Sequence, residues 1–208
     1  MRLSIFAAAA LLTGSLAAHA TMTYNATPST TTPPNGLVSS YSGVTTLNFD
    51  GSTALPFGFT GGTVVQTSSS GNYAAPNGDT SNFYIVGTAP NFMGSATFSP
   101  GAAYNYFGLY WGSIDSANTL TFLSNGTQVG SISGSQLLAN YPNTNEFVDV
   151  FFAGGTTYDS VAFTTPNPNF ELDNVTYGNV AVTPEPSTFV MLGTGVLGVA
   201  GVIKRRLA

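Results

Sequence analysis

Between Thr21 and Thr183 the chain contains no lysine, arginine, histidine or cysteine. Its four basic residues are Arg2, Lys204, Arg205 and Arg206, its one histidine is His19, and it has 0 cysteines. Each absence removes a chemistry. Without His or Cys there is no Ser-His-Asp or Cys-His nucleophile system and no His-rich zinc site. Without Lys or Arg there is no phosphate clamp and no electrostatic footprint for nucleic acid, so no nucleic-acid partner is expected. Without cysteine the domain must stand on its own core rather than on disulfides. What remains is acidic and aromatic. Of nine Asp and Glu residues only Glu185 lies beyond Thr183. The middle of the chain is long enough for one domain with a sizeable core. Its aromatic and β-branched content argues against disorder, and its unopposed carboxylates favour solubility.

The basic residues are gathered at the two ends. MRLSIFAAAALLTGSLAAHA, residues 1–20, has Arg2, an apolar stretch from Leu3 to Leu12 and an A-x-A site at Ala18-His19-Ala20. This pattern is a Sec-type signal peptide cut after Ala20. The other end, residues 183–208, begins with Thr183-Pro184-Glu185-Pro186, a stiff polar element because each proline fixes φ. An uncharged stretch, 187–203, follows, and then Lys204-Arg205-Arg206. A helix of that length rises about 25 Å, near the short limit for crossing a bilayer. The basic cluster stays cytoplasmic and leaves everything before Pro184 outside. The three parts, in this order and spacing, resemble the PEP-CTERM sorting signal. That resemblance implies an exosortase, a membrane-embedded cysteine protease, that removes the helix near Pro184-Glu185-Pro186. It also implies an exopolysaccharide-producing bacterium, an inner-membrane-anchored precursor, and a final place at the cell surface or in the matrix of a biofilm.

The processed chain then divides into a Thr/Pro-rich segment, 21–42, and a domain, 43–180. The first reads as an extended arm or a first edge strand. The second reads as short strands at 44–49, 62–67, 82–86, 95–98, 104–111, 119–123, 127–132, 146–152, 160–164 and 170–177. Alternation is clear at Leu120/Phe122, Val161/Phe163 and Phe170/Leu172, and Asn125-Gly126 is a hairpin turn signal. Only 135–140 looks helical. The expected fold is therefore all-β, a single jelly-roll-like β-sandwich. NYFGLYWGSIDSANTLTFLSNGTQVGSISG (105–134) and the later FVDVFF, YDSVAFTT and FELDNVTYG resemble a subfamily of exosortase-dependent surface proteins. This second resemblance implies location and fold rather than an activity.

The carboxylates and tyrosines are the groups left to carry function. NFDG (48–51) and ELDNV (171–175) are similar to the paired terminal motifs of jelly-roll carbohydrate-binding modules, which implies a structural Ca²⁺ at Asp50 and Asp173. A domain without basic residues must give any buried carboxylate a cation, backbone donors or a proton. Ca²⁺ suits such oxygen donors. The alternative is that both acids are exposed or accept backbone N–H bonds in turns. Strand alternation puts Tyr104, Tyr106 and Tyr110 on one face, opposite Phe107, Leu109 and Trp111. If uncovered, those tyrosines, with Asp115 in the turn that follows, would form a platform for a sugar ring; Asp115 could equally serve an Asx-type turn. Glu146/Asp149 and Glu171/Asp173 are acid pairs in sequence, and Glu171 and Asp173 would share a strand face, as a glycosidase pair requires. Three functions follow in order: a non-enzymatic surface or matrix protein, a carbohydrate-binding module with or without Ca²⁺, and a carboxylate-based glycoside hydrolase. Partners expected are the Sec machinery, the exosortase, the membrane before processing and extracellular polysaccharide.

Overall fold

The computed structural model describes residues 22–29, 34–87, 93–166 and 169–182, together with Gly195. The expected signal peptide (Ala18 and Ala20 included), the Pro184-Glu185-Pro186 element, the apolar helix and Lys204, Arg205 and Arg206 lie outside these residues. No helix among the described residues is long and apolar enough to cross a membrane.

The described chain folds into two antiparallel sheets. The larger is built from β1 (Met22–Pro28), β2 (Thr45–Leu47), β4 (Thr63–Val65), β5 (Phe83–Val86), β7 (Tyr106–Gly112), β10 (Glu146–Phe152) and β12 (Phe170–Gly178). Its order is β1-β10-β7-β12-β5-β4, with β2 also paired to β12. The smaller contains β3 (Phe59–Thr60), β6 (Gly94–Phe98), β8 (Thr119–Ser124), β9 (Thr127–Ser133) and β11 (Ser160–Thr165), in the order β3-β6-β11-β8-β9. This is a β-sandwich of the jelly-roll kind. The segment expected as an arm or an edge strand supplies β1, which lies at one edge of the larger sheet.

The core lies between the sheets and follows the period of two that a pleated strand imposes. Phe107, Leu109 and Trp111 of β7, Val148, Val150 and Phe152 of β10, and Phe170 and Leu172 of β12 join one cluster with Phe98, Leu120, Phe122, Val161 and Phe163 of the smaller sheet. Trp111 stacks on Phe170 with ring centroids 4.3 Å apart and 10° between planes. The one helix, α1 (Gly134–Asn140), follows β9. Ser133 caps it, since its hydroxyl accepts from the Gln136 N–H while the Gln136 side chain accepts from the Ser133 N–H.

β12 changes partners halfway along. Phe170–Leu172 pair with β5, and Val175–Tyr177 pair with β2. At the changeover the register with β7 shifts between Asp173 and Thr176, and Asn174 adopts φ 51. A bulge of this kind bends a strand and re-aims its side chains. Here Asn174 and Asp173 meet loops from elsewhere in the chain.

Candidate functional site

The outer face of the larger sheet carries Tyr106 and Tyr110 from β7, Asp149 from β10, and Glu171 and Asp173 from β12. In a plain two-layer sandwich that face would meet water. In this chain two loops lie across it. Residues 34–41 form the first. Ser39 Oγ lies 2.6 Å from Tyr106 Oη, and the Tyr41 ring sits 5.0 Å from Tyr106 and 5.3 Å from Phe151. The Asn174 side-chain amide donates to the carbonyls of Asn35 and Leu37, at 2.6 and 3.0 Å. Residues 73–81 form the second. The Tyr110 hydroxyl donates to the Asn77 carbonyl at 2.6 Å, and the Ala74 N–H donates to Glu171 Oε1 at 3.3 Å. The loops are joined to each other, since the Thr80 N–H donates to the Pro34 carbonyl at 2.8 Å.

The expected tyrosine platform is therefore not formed. Tyr106 and Tyr110 are both 0 % exposed. The Tyr106 hydroxyl donates to Asp149 Oδ1 at 2.6 Å, so its polar end is used inside the fold. Tyr104 is out of phase with them, because it precedes the strand. It makes an isolated bridge to Tyr158, and its ring packs on Tyr177, which belongs to the core. Asp115 lies beyond the opposite end of β7, a strand that itself spans about 20 Å from Tyr106 to Gly112. There it is half-buried, and its backbone carbonyl accepts from the Asn118 N–H.

The acids are buried with almost nothing to neutralise them. Asp173, Asp79, Asp149, Glu146 and Glu171 are all under a tenth exposed. The Asp173 carboxyl lies within hydrogen-bonding reach of that of Asp79, with Asp50 close enough to add repulsion. Burial above all, then Asp79, push the Asp173 pKa up to about 9, against a partial offset from the Asn174 N–H. Asp50 Oδ1, Asp79 Oδ2 and Asp173 Oδ2 are buried without a donor. The other Asp79 oxygen, Oδ1, accepts from the backbone N–H and the hydroxyl of Ser81. Asp50 was the expected partner of Asp173; the side chain brought against it is Asp79, which spacing alone did not single out. Among the described residues no three acidic side chains stand close enough to hold a metal by themselves. A cation at this place would need Asp79 and Asp173 together with carbonyl or water oxygens, a donor set that suits Ca²⁺.

The pairs weighed for hydrolysis do not share a cleft. Glu146 pairs opposite Trp111 and Asp149 opposite Gly108. Being three residues apart on one strand, they point to opposite faces. Glu171 and Asp173 do share a face, but each is covered by its own stretch of the 73–81 loop. Burial, with a smaller contribution from Asp115, raises the Glu171 pKa to about 8.

The fold and its capped acidic face define an all-β sandwich whose reactive-looking side chains are turned into its own loops. The particular kind of chain is fixed by its end. Residues 182–206 match the PEP-CTERM protein-sorting motif, and the chain is a PEP-CTERM sorting domain-containing protein. That motif marks an exported protein with a C-terminal sorting signal. No curated protein matches the chain. Among solved structures it is similar to two mutants of CBM29-2, from work on ligand recognition by family 29 carbohydrate-binding modules. The identities are 11% and 12%, each with a TM-score of 0.39 and 69% of this chain covered. The matches take in 98% and 96% of those chains.

Proposed function

We propose that this chain is a non-enzymatic surface or extracellular-matrix protein, processed by an exosortase in an exopolysaccharide-producing bacterium. Its precursor is anchored in the inner membrane by the 187–203 helix, and its released domain resides at the surface or in the matrix. The observation that carries the reading is the covered outer face. On that face Tyr106, Tyr110 and Glu171, side chains of the kinds that composition leaves for substrate chemistry, are bonded to the protein's own loops. Structural Ca²⁺ belongs to the same proposal, held by Asp173 and Asp79 beside Asp50, because their unpaired oxygens lie in a domain without a single basic side chain.

A carbohydrate-binding module is the second reading. It is favoured by Tyr41, which is 37% exposed and whose ring is backed by Tyr106 and Phe151, an arrangement on which a sugar ring can stack. One experiment separates the two. Residues 21–183 are co-sedimented with polysaccharide from the producing organism, with calcium and with a chelator. The matrix reading expects no saturable binding in either condition. Saturable binding that Tyr41→Ala abolishes would replace it with the module.

A further inference from the structure

Both ends of the folded domain leave it on the same side. In the larger sheet Met22 lies opposite Phe152, Phe151 opposite Tyr106, and Tyr106 opposite Gly178. The start of β1, the end of β10, the start of β7 and the end of β12 are thus level across four neighbouring strands. At about 4.8 Å per strand, the first and last are roughly 15 Å apart. Met22 follows the expected signal cut by two residues. At the other terminus Asn105 grips the exit. Its side chain accepts from the Val180 N–H at 2.8 Å and donates to the Val180 carbonyl at 2.9 Å. Ser187, where the apolar stretch begins, can be no more than about 25 Å beyond Val180 even if the chain is straight. A seven-residue strand is itself about 23 Å long. For the opposite end to reach the bilayer, the tether would have to run back along the whole side of the sandwich.

The composition of this end fits that placement. It is made by the loops 42–44, 99–105, 124–127, 153–157 and 179–182, none of which carries a charged residue. The acid next to them is Asp159, whose Oδ2 accepts from the Asn125 N–H at 2.7 Å. Phe57, 68% exposed, stands beside Gly101 in the same group. The other acids of the domain lie elsewhere. Asp79, Asp149, Glu171 and Asp173 are at the outer face, with Asp50 near Asp173, and Asp115 and Glu146 are at the far end of β7. With no basic residue to draw it down, the domain is held near the anionic headgroups by its tether alone, and the end that is turned to them is the one that repels them least.

We propose that this uncharged end is the surface that the anchored precursor holds against the membrane, so that the signal cut and the Pro184-Glu185-Pro186 element are presented from one side. The inference rests on the anchored-precursor reading. Because the chain has no cysteine, single substitutions give unique labels. The full-length precursor is reconstituted in phosphatidylethanolamine–phosphatidylglycerol vesicles with Ala102→Cys or Thr127→Cys at this end, and with Ser116→Cys or Asn143→Cys at the other. All four positions are exposed. A fluorophore on each is quenched by headgroup nitroxide lipid. The expected result is several-fold stronger quenching at 102 and 127 than at 116 and 143. Equal quenching at both ends, or none at either, in protein that resists carbonate extraction overturns the orientation alone. Protein that carbonate strips from the vesicles overturns the anchored precursor and the orientation with it.

Discussion

Asp173 is the residue at which the chain's lack of basic groups is felt most. Its carboxyl is fully buried, faces Asp79, and has its pKa raised from 3.8 to about 9. The folded state therefore holds a proton that the unfolded state releases. Stability from this group is fully present below about pH 4 and is lost as pH rises toward about 9. The slope is on the order of 1.4 kcal/mol per pH unit while the difference in protonation is complete. Glu171, raised to about 8, adds a loss of the same sign over a slightly narrower window. We expect urea midpoints to fall between pH 5 and pH 8 in a chelator, and Asp173→Asn to flatten that fall. If Ca²⁺ occupies the pair, adding it should reverse the trend, because a metal takes the deprotonated form. An unchanged slope in Asp173→Asn would mean that the proton resides elsewhere. The Tyr106 hydroxyl offers a second test. Removing it in Tyr106→Phe leaves Asp149 Oδ1 buried without its donor. The expected cost is about 1–3 kcal/mol in the same measurement. A loss under ~0.5 kcal/mol would show that water reaches Asp149.

At the scale of elements, the covering loop depends on one glycine. Gly36 has φ +70, and a Cβ there would stand 2.6 Å from Tyr110 Cδ1. Gly43, just beyond the loop, has φ +74 with nothing within 4 Å. Both glycine-to-alanine changes force a left-handed residue, at about 1–2 kcal/mol each. Only Gly36→Ala adds the clash, so it should be the more destabilising of the two, by about 1 kcal/mol or more. Equal effects would show that residues 34–41 can lift from the sheet without loss. This dependence was hidden in the sequence, whereas the strands were not. Leu120/Phe122, Val161/Phe163 and Phe170/Leu172 alternate because one face of each strand meets the core, and all of them are there. Asn125-Gly126 turns with φ 50 and 76, as the hairpin signal requires. The helix expected at 135–140 is α1. Alternation says which residues share a face, however, and not whether a distant loop lies on it. That is why the platform of Tyr106 and Tyr110 rests on the condition that nothing covers them, a condition that alternation does not test. The pairing of Asp79 with Asp173 is hidden for a related reason. It comes from the partner change in β12, where Asn174 takes a left-handed conformation that its neighbours in sequence do not announce.

For the whole molecule, charge decides whether copies stay apart. Every charged side chain between Thr21 and Thr183 is an acid, so the charges of two copies repel at neutral pH, over about 8 Å at physiological salt. Against that stand sheet edges that no further strand among the described residues covers. β1 pairs with β10 on one side, and its sequence MTYNATP carries no charge to deter another strand before Pro28 closes the run. At pH 8 in low salt the repulsion should win, and sedimentation velocity of residues 21–183 should show monomer. Lowering the pH toward 4 protonates carboxylates that are not already neutral, and the same material should then associate. Placing a lysine on the exposed side of β1, as in Asn25→Lys, tests the route. It should suppress the acid-induced association if β1 is the edge that pairs. If Asn25→Lys associates like the parent, contact is made elsewhere, and the uncharged end with Phe57 is the next surface to substitute. Monomer at every pH would mean that the bare edge is insufficient on its own, and that a matrix built from this domain needs a partner to hold it together.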